Sequence, residues 1–434
     1  MESTYVDLDV APSDLSQSRG NTLRPVQGFA KPYVLVGGPG AGKSTLAKHL
    51  VLRSLGDRRA GMPILLKLRD YVGFDNIESA IAHRLSDFKF ARPKEYVDGL
   101  LRNSATLCVL DGLDEVRVES RNEVIRHINQ FFHKYFDQGG QIIVTCRKEA
   151  YRDTPLDIPS VMEVRPLSDE QIQRLAEKWP IAYPQGKSFQ TFLRDLTAAP
   201  RIHELARSPL LLVGGLMQYT DSNQGIPDER FQYLNRVATW LIADWSTAQG
   251  HPPDPLRPLY DRVLPRLAYH MHQTKCAEVN LADAVTLIDG WLPQFGHPKG
   301  GASQVIESIK TRTGILVSEN AQHLIFAQFG LQEYFASLEV TEQVKPSDLS
   351  TLTPIPWWRE SILLAVAQQR EPTAYLEALF LFDSFLAAAA VAECPTPSSV
   401  LQKRAVEACL RGIDKMETSV TGALVPLLRK CVAT

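Results

Sequence analysis

Val34-Leu-Val-Gly-Gly-Pro-Gly-Ala-Gly-Lys-Ser-Thr45 places four glycines and a proline between an apolar run and a lysine followed by two hydroxyls. Residues 37–44 match GxxxxGK(S/T). Glycines let a backbone take φ > 0 and turn several N–H groups toward one point. A helix opening directly after the loop adds its positive dipole end. Lys43 brings a full positive charge for β- and γ-phosphate oxygens, and Ser44 brings a hydroxyl for Mg2+. The stretch reads as a donor cage for a nucleoside triphosphate, built from Gly37, Gly38, Pro39, Gly40, Ala41, Gly42, Lys43, Ser44 and Thr45.

The flanking sequence supports this. The run at 33–36 predicts a strand before the loop, and apolar spacing from Lys43 through Leu46 and Leu50 predicts a helix after it. Further strands are expected at 63–68, 106–110, 141–145 and 161–164, with helices at about 77–85 and 120–136 between them. Near-continuous apolar strands separated by amphipathic helices predict a parallel sheet with helices on both faces. The expected fold class is therefore an α/β P-loop NTPase.

In such a sheet, ligands lie at the carboxyl ends of the strands. Thr106-Leu-Cys-Val-Leu-Asp111-Gly-Leu-Asp114-Glu115 is an apolar strand ending in carboxylates. Asp111 is expected beside the Mg2+ held by Ser44. Hydrolysis also needs a carboxylate to orient or deprotonate water. Gly112 directly follows Asp111, so that role falls to Asp114 or Glu115. The next strand ends Thr145-Cys146-Arg147, and an arginine there is placed to reach a γ-phosphate. A surface arginine paired with Glu149 or Asp153 is the plainer reading of Arg147.

Composition limits the alternatives. A formal net charge of -2 disfavours non-specific nucleic-acid binding, which needs a basic surplus. The six cysteines form no CxxC and no zinc-like cluster, so they read as reduced thiols. Residues 1–20 are polar and acidic, without the parts of a signal peptide. The longest apolar runs, such as 385–392, fall short of the roughly 20 residues a spanning helix needs. A cytoplasmic protein with no membrane partner is expected.

Residues 1–30 read as a lead-in with one strand at 5–10 and a linker. Beyond 165 the strand signal fades. Ser168-Asp-Glu-Gln171 fits a capping box opening a helix to 179. Helices follow at about 187–196 and 201–219, the latter interrupted at Pro209. A hairpin is expected from strands 314–318 and 322–326 around Glu319-Asn320, closing a short helical unit as a winged helix does. Residues 345–353 read as a linker. The remainder is helical, at 357–369, 373–392 and 398–412, with a weaker end broken by Pro426. Trp240, Trp245, Trp357 and Trp358 have core-like spacing.

Taken in order, the P-loop, the DGLDE strand end, the TCR strand end, Glu204-Leu-Ala-Arg-Ser-Pro209-Leu-Leu-Leu and Phe326-Ala-Gln-Phe-Gly-Leu-Gln-Glu333-Tyr334-Phe-Ala336 resemble a NACHT-type STAND NTPase over about residues 30–395. Lys67-Leu-Arg69-Asp also resembles that family. The resemblance implies a lead-in at 1–30, a P-loop NTPase domain at 31–165, an all-helical lid at 166–222, a winged-helix domain at 223–345 and a C-terminal helical domain at 346–434. It implies a switch that holds ATP or ADP with Mg2+, hydrolyses slowly, and opens to form a homo-oligomer when an activating ligand or partner protein is sensed. Bacterial relatives resemble antiphage defence proteins, and animal relatives are innate immune receptors. Pro209 would then pack against adenine, a helix kink being the plainer reading. Where the family places a winged-helix histidine at the β-phosphate, this chain has Gln328, whose amide can donate but cannot titrate. His323, in the preceding strand, is the other candidate for that contact. A regulator whose winged helix reads DNA is the competing expectation, although 228–345 lacks a Lys/Arg-rich helix.

Overall fold

The computed structural model describes residues 5–14, 24–25, 32–38, 41–56, 62–68, 71, 73–87, 89–102, 106–116, 118–137, 140–148, 151, 155–221, 224–248, 252–319, 322–395 and 397–413. The chain divides into two compact units. One comprises Met1–Leu193, Leu205–Asp221 and Val317–Ile325; the other comprises Arg194–Glu204, Ser222–Leu316 and Phe326–Thr434.

The first unit is built on a seven-stranded sheet. Its strands are β1 (Asp9–Pro12), β2 (Arg24–Pro25), β3 (Tyr33–Gly37), β4 (Ile64–Lys67), β5 (Leu107–Asp111), β6 (Gln141–Arg147) and β7 (Val161–Val164), in the spatial order β2-β1-β7-β3-β6-β5-β4. β3 through β7 are parallel. β3 and β5 are buried along their whole length, as expected for central strands covered on both faces.

The sheet is mixed, which corrects the expectation of a wholly parallel one. β1 runs antiparallel to β7, and β2 antiparallel to β1. The physical reason lies in the lead-in. Without the lead-in β7 would end the sheet; Val10 and Ala11, both buried, pair along it. An antiparallel strand needs no crossover helix, so a short segment can supply it.

Helices α1 (Lys43–Gly56), α2 (Ile77–Asp87), α3 (Pro93–Leu101) and α4 (Val118–Tyr135) connect the parallel strands. α3 was not foreseen. It starts with Pro93 in its first turn, where a missing N–H costs nothing. In α4, Val124, Ile128, Phe131 and Phe132 recur at three- and four-residue spacing and join the sheet core. Ser168 caps the next helix, Asp169–Glu177, as a full capping box: its hydroxyl accepts from the Gln171 amide, and the Gln171 side chain accepts from the Ser168 amide. The expected interruption at Pro209 is present as a break between two helices. Pro209 opens the helix Pro209–Asp221, after the separate short helix Pro200–Leu205.

The second unit is mainly helical. Trp358 is buried within it, beside Tyr269 and His272. Trp240 stacks edge-on against Trp245. The helix expected over 373–392 is two, Thr373–Phe382 and Ser384–Glu393. Asp383 divides them. Its extended backbone ends the first, and its carboxylate accepts the Phe385 and Leu386 amides to cap the second. The expected hairpin strands are present as Leu316–Glu319 and His323–Phe326, and Val317–Ile325 of them is counted with the first unit. Pro346–Thr351, read as a linker, is a 3-10 helix. The weak C-terminal end around Pro426 lies outside the described residues.

An ionic cluster sits inside this unit. Arg230 pairs with Glu360 at 2.7 Å and with Glu393 at 2.8 Å, and Arg201 also pairs with Glu393. Glu333 lies close by. Desolvation, reinforced by the Glu360 carboxylate and opposed by Arg230, pushes its pKa up to about 8. Folded Glu333 therefore holds its proton where an unfolded carboxyl, with an ordinary value of 4.5, has lost it. The stability it contributes is full below the unfolded value and is lost as pH rises through about 8. The melting temperature should accordingly decline between pH 5 and pH 8, and Glu333→Gln should flatten that decline. Thermal denaturation of both chains across this pH range checks it; an unchanged slope in Glu333→Gln would refute it.

Candidate functional site

The carboxyl ends of the parallel strands bring the sequence motifs together. The register sets Gly37 opposite Arg147 and Lys67 opposite Asp111. Four adjacent strand ends thus carry the first loop glycine, an arginine, a carboxylate and a lysine in a row.

The loop behaves as its residue types require. Gly42 has φ +88°, a value that L side chains rarely adopt, and a Cβ there would stand 3.1 Å from the Leu8 side chain. The first helical hydrogen bond of α1 runs from the Leu46 amide to the Gly42 carbonyl at 2.8 Å. The Lys43 ammonium donates to the Gly37 carbonyl at 2.7 Å and to that of Gly38 at 2.9 Å. These bonds fold the cation back over the loop. Ala41, Ser44 and Thr45 follow the same bend, with the two hydroxyl residues exposed. Pro39 and Gly40 lie outside the described residues.

Asp111 is the meeting point. Its Oδ1 accepts the Ser44 hydroxyl at 3.1 Å and the Thr145 hydroxyl at 2.6 Å. Thr145 Oγ1 in turn accepts the Gly112 amide at 2.8 Å. Gly112 takes φ +85°, turning the chain from β5 into the short 3-10 helix Leu113–Glu115. Asp111 and Ser44 are hard oxygen donors, a set that suits Mg2+, which takes one or two carboxylates and completes its shell with water and phosphate oxygens. Among the described residues no group of three or more His, Cys, Asp or Glu gathers to hold a metal. A Mg2+ held by Ser44 and Asp111 would therefore share its coordination with phosphate and water.

Asp114 and Arg147 form a pair. Arg147 Nε stands 3.0 Å from Asp114 Oδ2, and the Arg147 amide donates to Oδ1 at 3.1 Å. Both side chains are less than a tenth exposed. The plainer reading, a surface arginine, does not hold: Arg147 is buried. Glu149 and Asp153 lie outside the described residues. Nothing is described for the Glu115 side chain. Around Cys146 the charges converge: burial, then Asp114, push its thiol pKa well up, while Lys43, Arg121 and Arg147 pull it back.

Three contributors were not foreseen. Thr145 was seen only as part of a strand-end pattern, yet it bridges Asp111 and Gly112. Arg121, on α4, donates to the Asp114 and Val116 carbonyls at 3.3 and 3.1 Å. Its position in a predicted amphipathic helix offered no signal. The lead-in also reaches the loop. Leu8 abuts Gly42, Tyr5 stacks on His49 with ring centroids 3.5 Å apart, and Lys148 bridges Asp14 and Glu163 at 2.9 Å each. The alternation of Val6, Leu8 and Val10 was its visible trace.

The remaining candidates fall in other elements. Pro209 is the first residue of its helix in the first unit, partly buried. Gln328 is the N-cap residue of the helix Phe329–Gln343, with extended backbone. His323 begins the strand His323–Phe326, also partly buried. Of the cysteines, Cys108, Cys146, Cys394 and Cys409 are buried and Cys276 is exposed, all as free thiols. Cys431 lies outside the described residues. Among the described residues no helix is long and apolar enough to cross a membrane.

A family model described as NACHT domain matches residues 31–183. No curated protein matches the sequence. Similar solved structures include CDC6P from Pyrobaculum aerophilum, 17% identical, covering 72% of this chain and 88% of that one with a TM-score of 0.29. A STAND (signal transduction ATPase with numerous domains) protein with a tetratricopeptide repeat sensor from Pyrococcus horikoshii is 12% identical, covering 88% of this chain and 56% of that one, TM-score 0.29. The RuvB Holliday junction branch migration motor of Thermotoga maritima is 13% identical, covering 68% and 84%, TM-score 0.27. The family model carries the comparison: residues 31–183 match the NACHT domain, and the same stretch forms a P-loop NTPase α/β fold.

Proposed function

We propose that the chain is an ATP/ADP-dependent molecular switch that hydrolyses ATP slowly with Mg2+. The observation that carries this is the hydrogen bond from the Ser44 hydroxyl to Asp111 at 3.1 Å, beside a glycine-bent loop whose cation is Lys43. The loop amides and Lys43 would bind the β- and γ-phosphates, and Ser44 with Asp111 would hold Mg2+, which neutralises phosphate charge when bound. Arg147 is positioned by Asp114 and would contact the γ-phosphate. With the Asp114 carboxylate so engaged, Glu115 is the acid left to orient water. Pro209 would flank adenine, and Gln328 would donate to the β-phosphate from a winged helix that includes the hairpin. Opening on exchange of ADP for ATP would permit homo-oligomerisation, in response to an activating ligand or partner protein, within bacterial antiphage immunity.

Calorimetry with Mg2+ and adenine nucleotides tests the core of this reading. Wild-type chain should give a binding heat, and Lys43→Ala should abolish it, because the phosphates lose their main cation. Glu115→Gln should bind with near wild-type affinity and hydrolyse on the order of a hundredfold more slowly. Normal binding by Lys43→Ala would remove the loop from the site. Light scattering with ATP against ADP, in the presence of the native partner, tests the assembly step: an unchanged mass in both refutes it.

The pairing of Arg147 with Asp114 has a consequence for folding. Removing one partner of a buried pair leaves an uncompensated charge and costs about 3–5 kcal/mol. Asp114→Ala should therefore lose about that much in denaturant unfolding of the chain, whereas Lys43→Ala, at the partly exposed loop, should lose under about 1 kcal/mol. Equal losses would show that the pair is not what anchors these strand ends.

A further inference from the structure

The segment from Gly112 to Val116 carries the acids assigned above to hydrolysis, and it is a short 3-10 turn outside the sheet ladder. It is held from three sides. Thr145, on β6, accepts the Gly112 amide and donates to Asp111. Arg147, at the end of β6, holds the Asp114 carboxylate through its guanidinium and its amide. The third anchor comes from α4. Arg121 is 7% exposed, and its Nη2 donates to the carbonyls of Asp114 and Val116, at 3.3 and 3.1 Å.

Burying a guanidinium is expensive unless its donors are used. Here its charge lies near the site, since it opposes Asp114 in acting on the Cys146 thiol. Yet these two bonds go to main-chain oxygens, while the neighbouring carboxylate is taken by Arg147. The two carbonyls flank Glu115 in the chain. A donor that bonds both fixes the direction of the backbone at Glu115, and a fixed backbone is what a water-orienting carboxylate requires.

We infer that Arg121 is the positioning residue of the acid segment: by gripping the Asp114 and Val116 carbonyls it fixes the backbone that carries Glu115, without touching nucleotide. This rests on the hydrolytic reading above. The test uses the full chain, with steady-state ATP turnover and calorimetric nucleotide affinity measured on the same preparations. Arg121→Met should keep its Kd for Mg-nucleotide within about twofold of wild type while kcat falls at least about tenfold. Arg121→Lys, which keeps a cationic donor for the carbonyls, should recover kcat to within about threefold. A folded Arg121→Met with wild-type kcat overturns the inference. So does a parallel loss of affinity and turnover, which marks a general structural role. Should Arg121→Met fail to fold, Arg121→Gln decides: lowered kcat at wild-type Kd supports the assignment, and wild-type kcat ends it. A wild-type chain that binds nucleotide but shows no turnover ends the hydrolytic reading and the Arg121 assignment together. Turnover equal in wild type and Arg121→Met ends only the latter.

Discussion

One carboxylate oxygen organises the strand ends of the first unit. Asp111 Oδ1 accepts hydroxyls from Ser44 on α1 and Thr145 on β6, so three separate elements converge on one atom. The geometry is possible only because β5 lies beside β6 in register and β6 beside β3. A slip of one residue in either pairing would turn the convergent side chains to the opposite face. The position of the phosphate loop relative to the acid segment is therefore a consequence of sheet register, and the loop itself needs only its glycines.

The charged groups around that point are paired through geometry more than through strength. Buried ion pairs roughly break even against apolar packing, because desolvation offsets attraction. What the Asp114–Arg147 contact supplies is direction. One carboxylate is met by both the side chain and the backbone of the same arginine, which leaves the guanidinium little freedom to turn. The Arg230 cluster of the second unit follows the same logic on a larger scale, with two arginines and Glu360 and Glu393 in direct contact, and Glu333 held toward its neutral form. A neutral Glu333 reduces the negative excess that three ionised carboxylates would leave beside two guanidinium groups.

Legibility followed the range of the forces involved. The glycine loop, the capping box at Ser168 and the five parallel strands were readable because each is decided by neighbours in the chain. The strand at Asp9–Pro12 was misplaced by a few residues, since its bounds are set by pairing with β7, some 150 residues away. Asp383 was missed because a long apolar helical pattern continues across it, and only its backbone conformation shows that it caps a second helix. Arg121 was invisible for a stronger reason. A lone arginine in an amphipathic helix looks the same whether it meets water or two carbonyls five to seven residues upstream.

On the proposed reading, slow hydrolysis has a structural origin in Gly112. An acid directly after Asp111 would continue the strand direction and face the phosphates from a rigid β ladder. Gly112 instead turns the chain with φ +85°, and the next acids ride on a short 3-10 segment that relies on outside anchors. The first of them is spent on Arg147. The water-orienting group is thus one step removed from the sheet, and its placement depends on how firmly α4 holds it. Positional looseness of about 1 Å is enough to lower a rate a hundredfold. A switch gains from that arrangement, because a bound triphosphate then persists long enough for the rest of the chain to respond to it.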